Sequence, residues 1–103
     1  MTPRNVFEIL AEPHRRTILD LLRIRERSVG ELVDICRLSQ PGVSKHLRIM
    51  REAGLVAVRS VSQKSIYSIR PEPLREIDQW LESYRHFWSE KLDDLEALLD
   101  REE

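Results

Sequence analysis

The sequence has one cysteine, Cys36, in 103 residues, so no disulfide can close within the chain and no vicinal thiol pair exists. Glycine is scarce, with three residues, and so is histidine, with three. Neither a phosphate-cradling glycine loop, nor a nucleophile elbow, nor a metal-hydrolase motif can be assembled from them, and an enzyme is not expected. Long hydrophobic runs are missing too. The longest near the middle, Leu55-Val56-Ala57-Val58, ends at Arg59, far short of the roughly 18 residues a membrane helix needs. Met1-Thr2-Pro3-Arg4-Asn5 lacks the basic-then-apolar pattern of a secretory signal, and with the lone thiol this points to a reducing, cytoplasmic setting. What is present is the balance of one globular domain over residues 1–103, with 41% hydrophobic and 34% charged residues.

The net charge of -1 conceals a segregation. Residues 1–36 carry six basic and six acidic side chains; residues 37–70 carry seven basic (Arg37, Lys45, Arg48, Arg51, Arg59, Lys64 and Arg70) against one acidic, Glu52; residues 71–103 carry four basic against eleven acidic. A concentrated basic segment within a neutral chain suits a polyanion, although clustering on solvated faces produces the same pattern.

The order of elements is legible from punctuation. Val6, Phe7 and Leu10 suggest a short helix ended near Glu12-Pro13. Pro13 opens a second helix, carried by Ile18, Leu21 and Leu22 to about Arg27. Ser28 and Glu31 have the spacing of a capping box for a third, whose stripe is Val29, Leu32, Val33 and Cys36. Ser39 is a candidate cap for a fourth, which runs to Ala53 and stops at Gly54. At about 100° per residue its Val43, His46, Leu47, Ile49, Met50 and Ala53 share one side, and Gln40, Pro41, Ser44, Lys45, Arg48 and Arg51 the other. Two β-type runs, Leu55 to Arg59 and Ser65 to Ile69, then form a hairpin, and a long helix follows from about Leu74 to Leu99. Its broad apolar face, with Leu74, Ile77, Trp80, Leu81, Tyr84, Phe87, Trp88, Leu92, Leu95 and Leu99, exceeds what one small domain covers and is expected to meet a partner chain.

The short helix, brief turn and second amphipathic helix of residues 29–54 have the order of a helix-turn-helix, and the hairpin of residues 55–70 adds a wing. The major groove, about 12 Å wide, admits a helix. Gln40 and Ser44 can hydrogen-bond base edges there, while Lys45, Arg48 and Arg51 suit phosphates or guanine. Arg59 and Lys64 on the wing are placed for phosphate. Double-stranded DNA is the expected partner.

The run Ser39-Gln40-Pro41-Gly42-Val43-Ser44-Lys45-His46-Leu47-Arg48 with Ala53-Gly54-Leu55-Val56 resembles the recognition helix and first wing strand of the arsenic-repressor-type (ArsR/SmtB) winged-helix regulators. Ala11-Glu12-Pro13-His14-Arg15-Arg16 through Leu21-Leu22 resembles that family's second helix. The resemblance implies a mainly α fold with a β-hairpin wing: four helices, the hairpin, and a fifth helix. It implies a homodimeric repressor of a pseudo-palindromic operator, joined through its first and last helices. The interface would then include Val6, Phe7 and Leu10 from the first, and Ile77, Trp80, Leu81, Tyr84, Phe87, Trp88, Leu92 and Leu95 from the last. The family's thiolate stretch aligns with Glu26-Arg27-Ser28-Val29-Gly30-Glu31-Leu32, where both cysteine positions are lost. On the last helix Asp78 has no histidine nearby, and Lys91 and Asp94 stand where a histidine and an acid would be wanted. The chain is therefore expected to bind no metal and to need no cofactor.

Two other readings are compatible with the sequence. One is a winged-helix module that binds another protein, which would call for an apolar outward face on the fourth helix. The other is a repressor relieved by a small molecule held among Trp80, Tyr84, Phe87 and Trp88, or by a protein inducer; packing is the commoner fate of aromatics at this spacing.

Overall fold

The computed structural model describes residues 5–101; residues 1–4 and 102–103, part of the single domain expected over 1–103, lie outside the described residues. The elements follow in the order α1 (Val6–Leu10), α2 (Pro13–Ile24), β1 (Arg27–Ser28), α3 (Val29–Cys36), α4 (Gln40–Glu52), β2 (Val56–Val61), β3 (Lys64–Ile69) and α5 (Arg75–Arg101), the last preceded by a 3-10 turn at Glu72–Leu74. Among the described residues no helix is long and apolar enough to cross a membrane.

Local chemistry sets most boundaries. The Asn5 side chain accepts from the Glu8 N–H and opens α1. Glu12 is extended because Pro13 follows, and its carboxylate accepts from the His14 N–H at 2.9 Å, so one residue both ends α1 and caps α2. The capping box is formed: the Ser28 hydroxyl accepts from the Glu31 N–H, and the Glu31 carboxylate accepts from the Ser28 N–H. Ser39 accepts from the Gly42 N–H at 3.1 Å and starts α4. At the other end, Gly54 at φ 79° donates to the Arg51 carbonyl and Leu55 donates to that of Met50, the paired bonds of a Schellman stop. Met50 and Leu55 are both fully buried, which adds the apolar contact that accompanies this stop.

The structure departs from the sequence reading in three places. The second helix stops at Ile24 rather than about Arg27, because Arg25 turns extended and Arg27–Ser28 become a third strand. That strand pairs with β3 in antiparallel register, Arg27 opposite Tyr67 and Ser28 opposite Ile66, giving the sheet order β1-β3-β2. The hairpin is also tighter than expected: Val61 pairs with Lys64, leaving a two-residue loop with Ser62 at φ 49° and Gln63 at φ 68°. Finally, Val6, assigned above to an interface, is 4% exposed and lies in the chain's own core. The same core holds Ile9, Ile18, Leu22, Leu32, Val43, Leu47, Met50 and Leu55, with Leu10 and Ile77 packed half-buried against it. Val6 and Leu10 face inward because α1 is short and lies against the body through one turn, while Phe7 remains outside; Ile77, in the first turn of α5, packs half-buried on the same core.

Two buried arginines complete the frame. Arg27 donates from Nε to the Leu21 carbonyl, and Arg15 donates from Nη1 to the Ile9 carbonyl. Each guanidinium thus adds a second donor to a carbonyl near the C-terminal end of a helix, since Leu21 already accepts from the Arg25 N–H and Ile9 from the Glu12 N–H. α5, by contrast, has no buried residue. At 1.5 Å per residue it is about 40 Å long, and it gives the chain a radius of gyration of 18.7 Å against about 13 Å for a compact domain of this size.

Candidate nucleic-acid interface

α4 packs through Val43, Leu47, Ile49 and Met50, and that pins the opposite side outward. Gln40, Pro41, Ser44, Lys45, Arg48 and Arg51 are all exposed, as the sequence pattern requires. Among the described residues no carboxylate lies within ion-pair distance of Lys45, Arg48, Arg51 or Lys64. Gln40, the first residue of α4, and Lys64, at the wing tip, line one groove together with Ser28, Gly30 and Gln63. The fold therefore brings the start of α4 next to the wing tip. Arg59 is different: its guanidinium is paired with Glu26, an acid from the segment leading into β1.

His46, on the packing side of α4, is the centre of a cluster that the sequence did not reveal. The Arg15 Nε–H donates to its Nδ1 at 3.2 Å, and its Nε2 lies 3.8 Å from Glu12. Because Nδ1 must present its lone pair to Arg15, the ring proton sits on Nε2, facing the carboxylate. Burial pushes the His46 pKa down, and Arg15, His14 and Lys45 reinforce this against the pull of Glu12. Burial alone would raise the Glu12 carboxyl, but the hydrogen bonds and charge of His14, with His46 behind it, leave it below its ordinary value. The cluster ties the start of α2 to the middle of α4.

Glu12, His14 and His46 bring a carboxylate oxygen and two ring nitrogens within 4.8 Å of one another. The donor set suits a cation poorly. Loading one on Nε2 of His46 would force the ring proton onto Nδ1, against the Arg15 N–H. The family's thiolate positions fit no better: Ser28 is spent on the helix cap, Gly30 has no side chain, and Cys36 is half-buried with its pKa raised by that burial.

Between α1 and α5, Phe7 meets Trp80 edge-to-face at 5.7 Å, and Trp80, Tyr84 and Trp88 continue as a ladder along α5. Trp80, Tyr84, Phe87, Trp88, Leu92 and Leu95 are exposed, and Leu81 is half-buried. Leu98, absent from the sequence-based set, is 53% exposed and extends the same surface. Its signal was available, three residues beyond Leu95 on the same helix.

A helix-turn-helix whose second helix bares a polar and basic side next to a basic-tipped wing defines a winged-helix DNA-binding protein. The comparisons agree. The family described as "Bacterial regulatory protein, arsR family" matches residues 12–58. The transcriptional repressor SdpR of Bacillus subtilis is 31% identical over 77 residues, covering 75% of this chain and 86% of that protein. The HTH-type transcriptional regulator Rv2034 of Mycobacterium tuberculosis is 31% identical over 101 residues, 98% of this chain and 92% of its own. The solved structure of an ArsR-like transcriptional regulator from Rhodococcus sp. RHA1 superposes with a TM-score of 0.66 at 25% identity, covering 90% of this chain and 88% of that one. The chain belongs to the ArsR family of DNA-binding transcriptional regulators, and its class is not an enzyme.

Proposed function

We propose that this chain is a cytoplasmic repressor that acts as a homodimer on a pseudo-palindromic operator of its own or a neighbouring operon. Two copies pair through Phe7 of α1 and the aromatic and leucine face of α5, and each places α4 in one of two major grooves about one DNA turn apart. Gln40 and Ser44 read base edges; Lys45, Arg48, Arg51 and Lys64 hold phosphates or guanine, and Pro41 shapes the helix start. The observation that carries this reading is the exposed side of α4, where all four of Gln40, Ser44, Lys45 and Arg48 stand clear of the core. Its polar and basic character also favours DNA over a protein partner, which would want an apolar face there.

The proposed signal is not a metal. This is supported by the missing thiolate pair and by the Arg15 N–H that occupies Nδ1 of His46. Footprinting on the DNA upstream of the chain's own gene, with sedimentation of the same sample, tests the proposal. Two symmetric protected half-sites and a dimer are expected; absence of protection at low salt, or a monomer at every concentration, would overturn it.

A further inference from the structure

The wing sheet has an inner and an outer face. Arg27, Tyr67 and Val58 stand abreast across its three strands, and Arg27 is buried while Tyr67 packs on the core, so this row faces inward. Ser28, Ile66 and Arg59 form the next row and face the other way. Lys64, two residues before Ile66, shares that outer face with Arg59. Arg59 therefore stands on the same side of the wing as the tip lysine, yet its guanidinium is taken by Glu26, reaching across β3. Lys64 has no such partner among the described residues. Residues 37–70 contain a single acid, Glu52, so the carboxylate that neutralises Arg59 comes from outside the basic segment.

Both members of the pair are exposed, with side-chain exposures of 59% for Arg59 and 45% for Glu26. An ion pair in that setting is weak and exchangeable, because water screens it and two long side chains must be held still. Glu26 meets Arg59 through one Nη2–Oε1 contact, whereas a DNA phosphate offers the guanidinium two oxygens and releases a counterion when bound. Glu26 would have to yield Arg59 first.

We propose that Glu26 tethers Arg59 in the free protein, so that the wing holds one phosphate contact in reserve and Glu26 sets the strength of DNA binding without touching DNA. This rests on the reading of α4 and the wing as the DNA interface. Because phosphate contacts ignore sequence, mixed-sequence duplex DNA is a sufficient probe. Affinity and its salt dependence are measured by fluorescence anisotropy for the full chain, Glu26→Gln, Arg59→Ala and the double variant. Glu26→Gln is expected to tighten binding by roughly two- to fivefold at low salt and to steepen the slope of log K against log salt by roughly 0.9. Arg59→Ala should weaken the Glu26→Gln protein more than the parent, and the gain should vanish in the double variant. A gain that persists without Arg59 would show simple through-space repulsion, and no gain or a loss would show that the pair only positions the wing; either overturns the tether. A parent chain that fails to bind the duplex at any salt would instead overturn the DNA reading beneath it.

Discussion

The Arg15 guanidinium, buried under α1, donates from Nε to Nδ1 of His46 on the recognition helix at 3.2 Å. This hydrogen bond fixes the tautomer of the histidine and adds a polar link between α2 and α4 to the packing of Val43, Leu47 and Met50. Protonating His46 would set two N–H groups against each other, the physical counterpart of its lowered pKa, whose leading cause is burial. In the unfolded chain the ring titrates near 6.5, so as pH falls through that value the unfolded state takes up the proton first. The contribution of the neutral ring is complete above 6.5, is lost as pH falls toward the lower folded value, and is level below it. Urea unfolding between neutral and mildly acid pH should show stability falling with pH, and His46→Gln should flatten that part of the profile. An unchanged slope in the variant would disprove the assignment.

Ser28→Ala removes the hydroxyl that accepts the Glu31 N–H and leaves the Glu31 side chain as half of a capping box. A loss of about 1 kcal/mol in urea unfolding is expected. The same Ser28 N–H bond is the leading reason the Glu31 carboxyl lies below its ordinary value, so Glu31→Gln should cost stability at neutral pH and little below its pKa.

On DNA, the α4 side chains should divide by role. Lys45→Ala or Arg48→Ala should weaken binding to every duplex and reduce the salt slope by about 0.9 each. Gln40→Ala should leave random-sequence affinity nearly intact but lose about 1–3 kcal/mol of discrimination at one base pair. Equal losses on specific and random duplexes would remove Gln40 from base reading.

The wing tip can be improved. Ser62 and Gln63 both take left-handed backbone, the geometry of a type I′ turn, which favours Asn-Gly. Gln63→Gly relieves a left-handed cost of about 1–2 kcal/mol and adds about 0.5–1 kcal/mol of freedom to the unfolded chain. The paired change Ser62→Asn with Gln63→Gly should therefore raise the melting temperature. A lower one would mean that the tip is held by contacts beyond its own turn.

Trp88→Glu places a charge in the middle of the exposed ladder on α5, 50% exposed in the single chain. Sedimentation should show a monomer, and circular dichroism an unchanged helix content. A dimer of undiminished strength would move the contact elsewhere.

Much of this was legible because it is local. Ser39 and Gly54 bracket the recognition helix by chemistry contained within a few residues, and the alternation of Val43 and Leu47 with Ser44, Lys45 and Arg48 fixes which side faces out. The site depends on no more than that helix and the neighbouring hairpin. The two residues of β1 were not legible, since so short a strand has no alternation and its partner, Tyr67, is remote in sequence. Nor was the burial of Arg15 and Arg27: arginine is ordinarily a surface residue, and each is buried here against a carbonyl six residues earlier, Arg15 with the remote His46 as a further acceptor. Glu26 and Arg59 meet through the same non-local strand order.

A last consequence comes from α5, which leaves most of its aromatic and leucine side chains exposed within one chain. Under the proposed pairing, functional readers accumulate only when two chains meet, so operator occupancy climbs with the square of their abundance until dimers predominate. If the operator governs the chain's own gene, as proposed, that square dependence makes the expression feedback steep and holds its level near a set point.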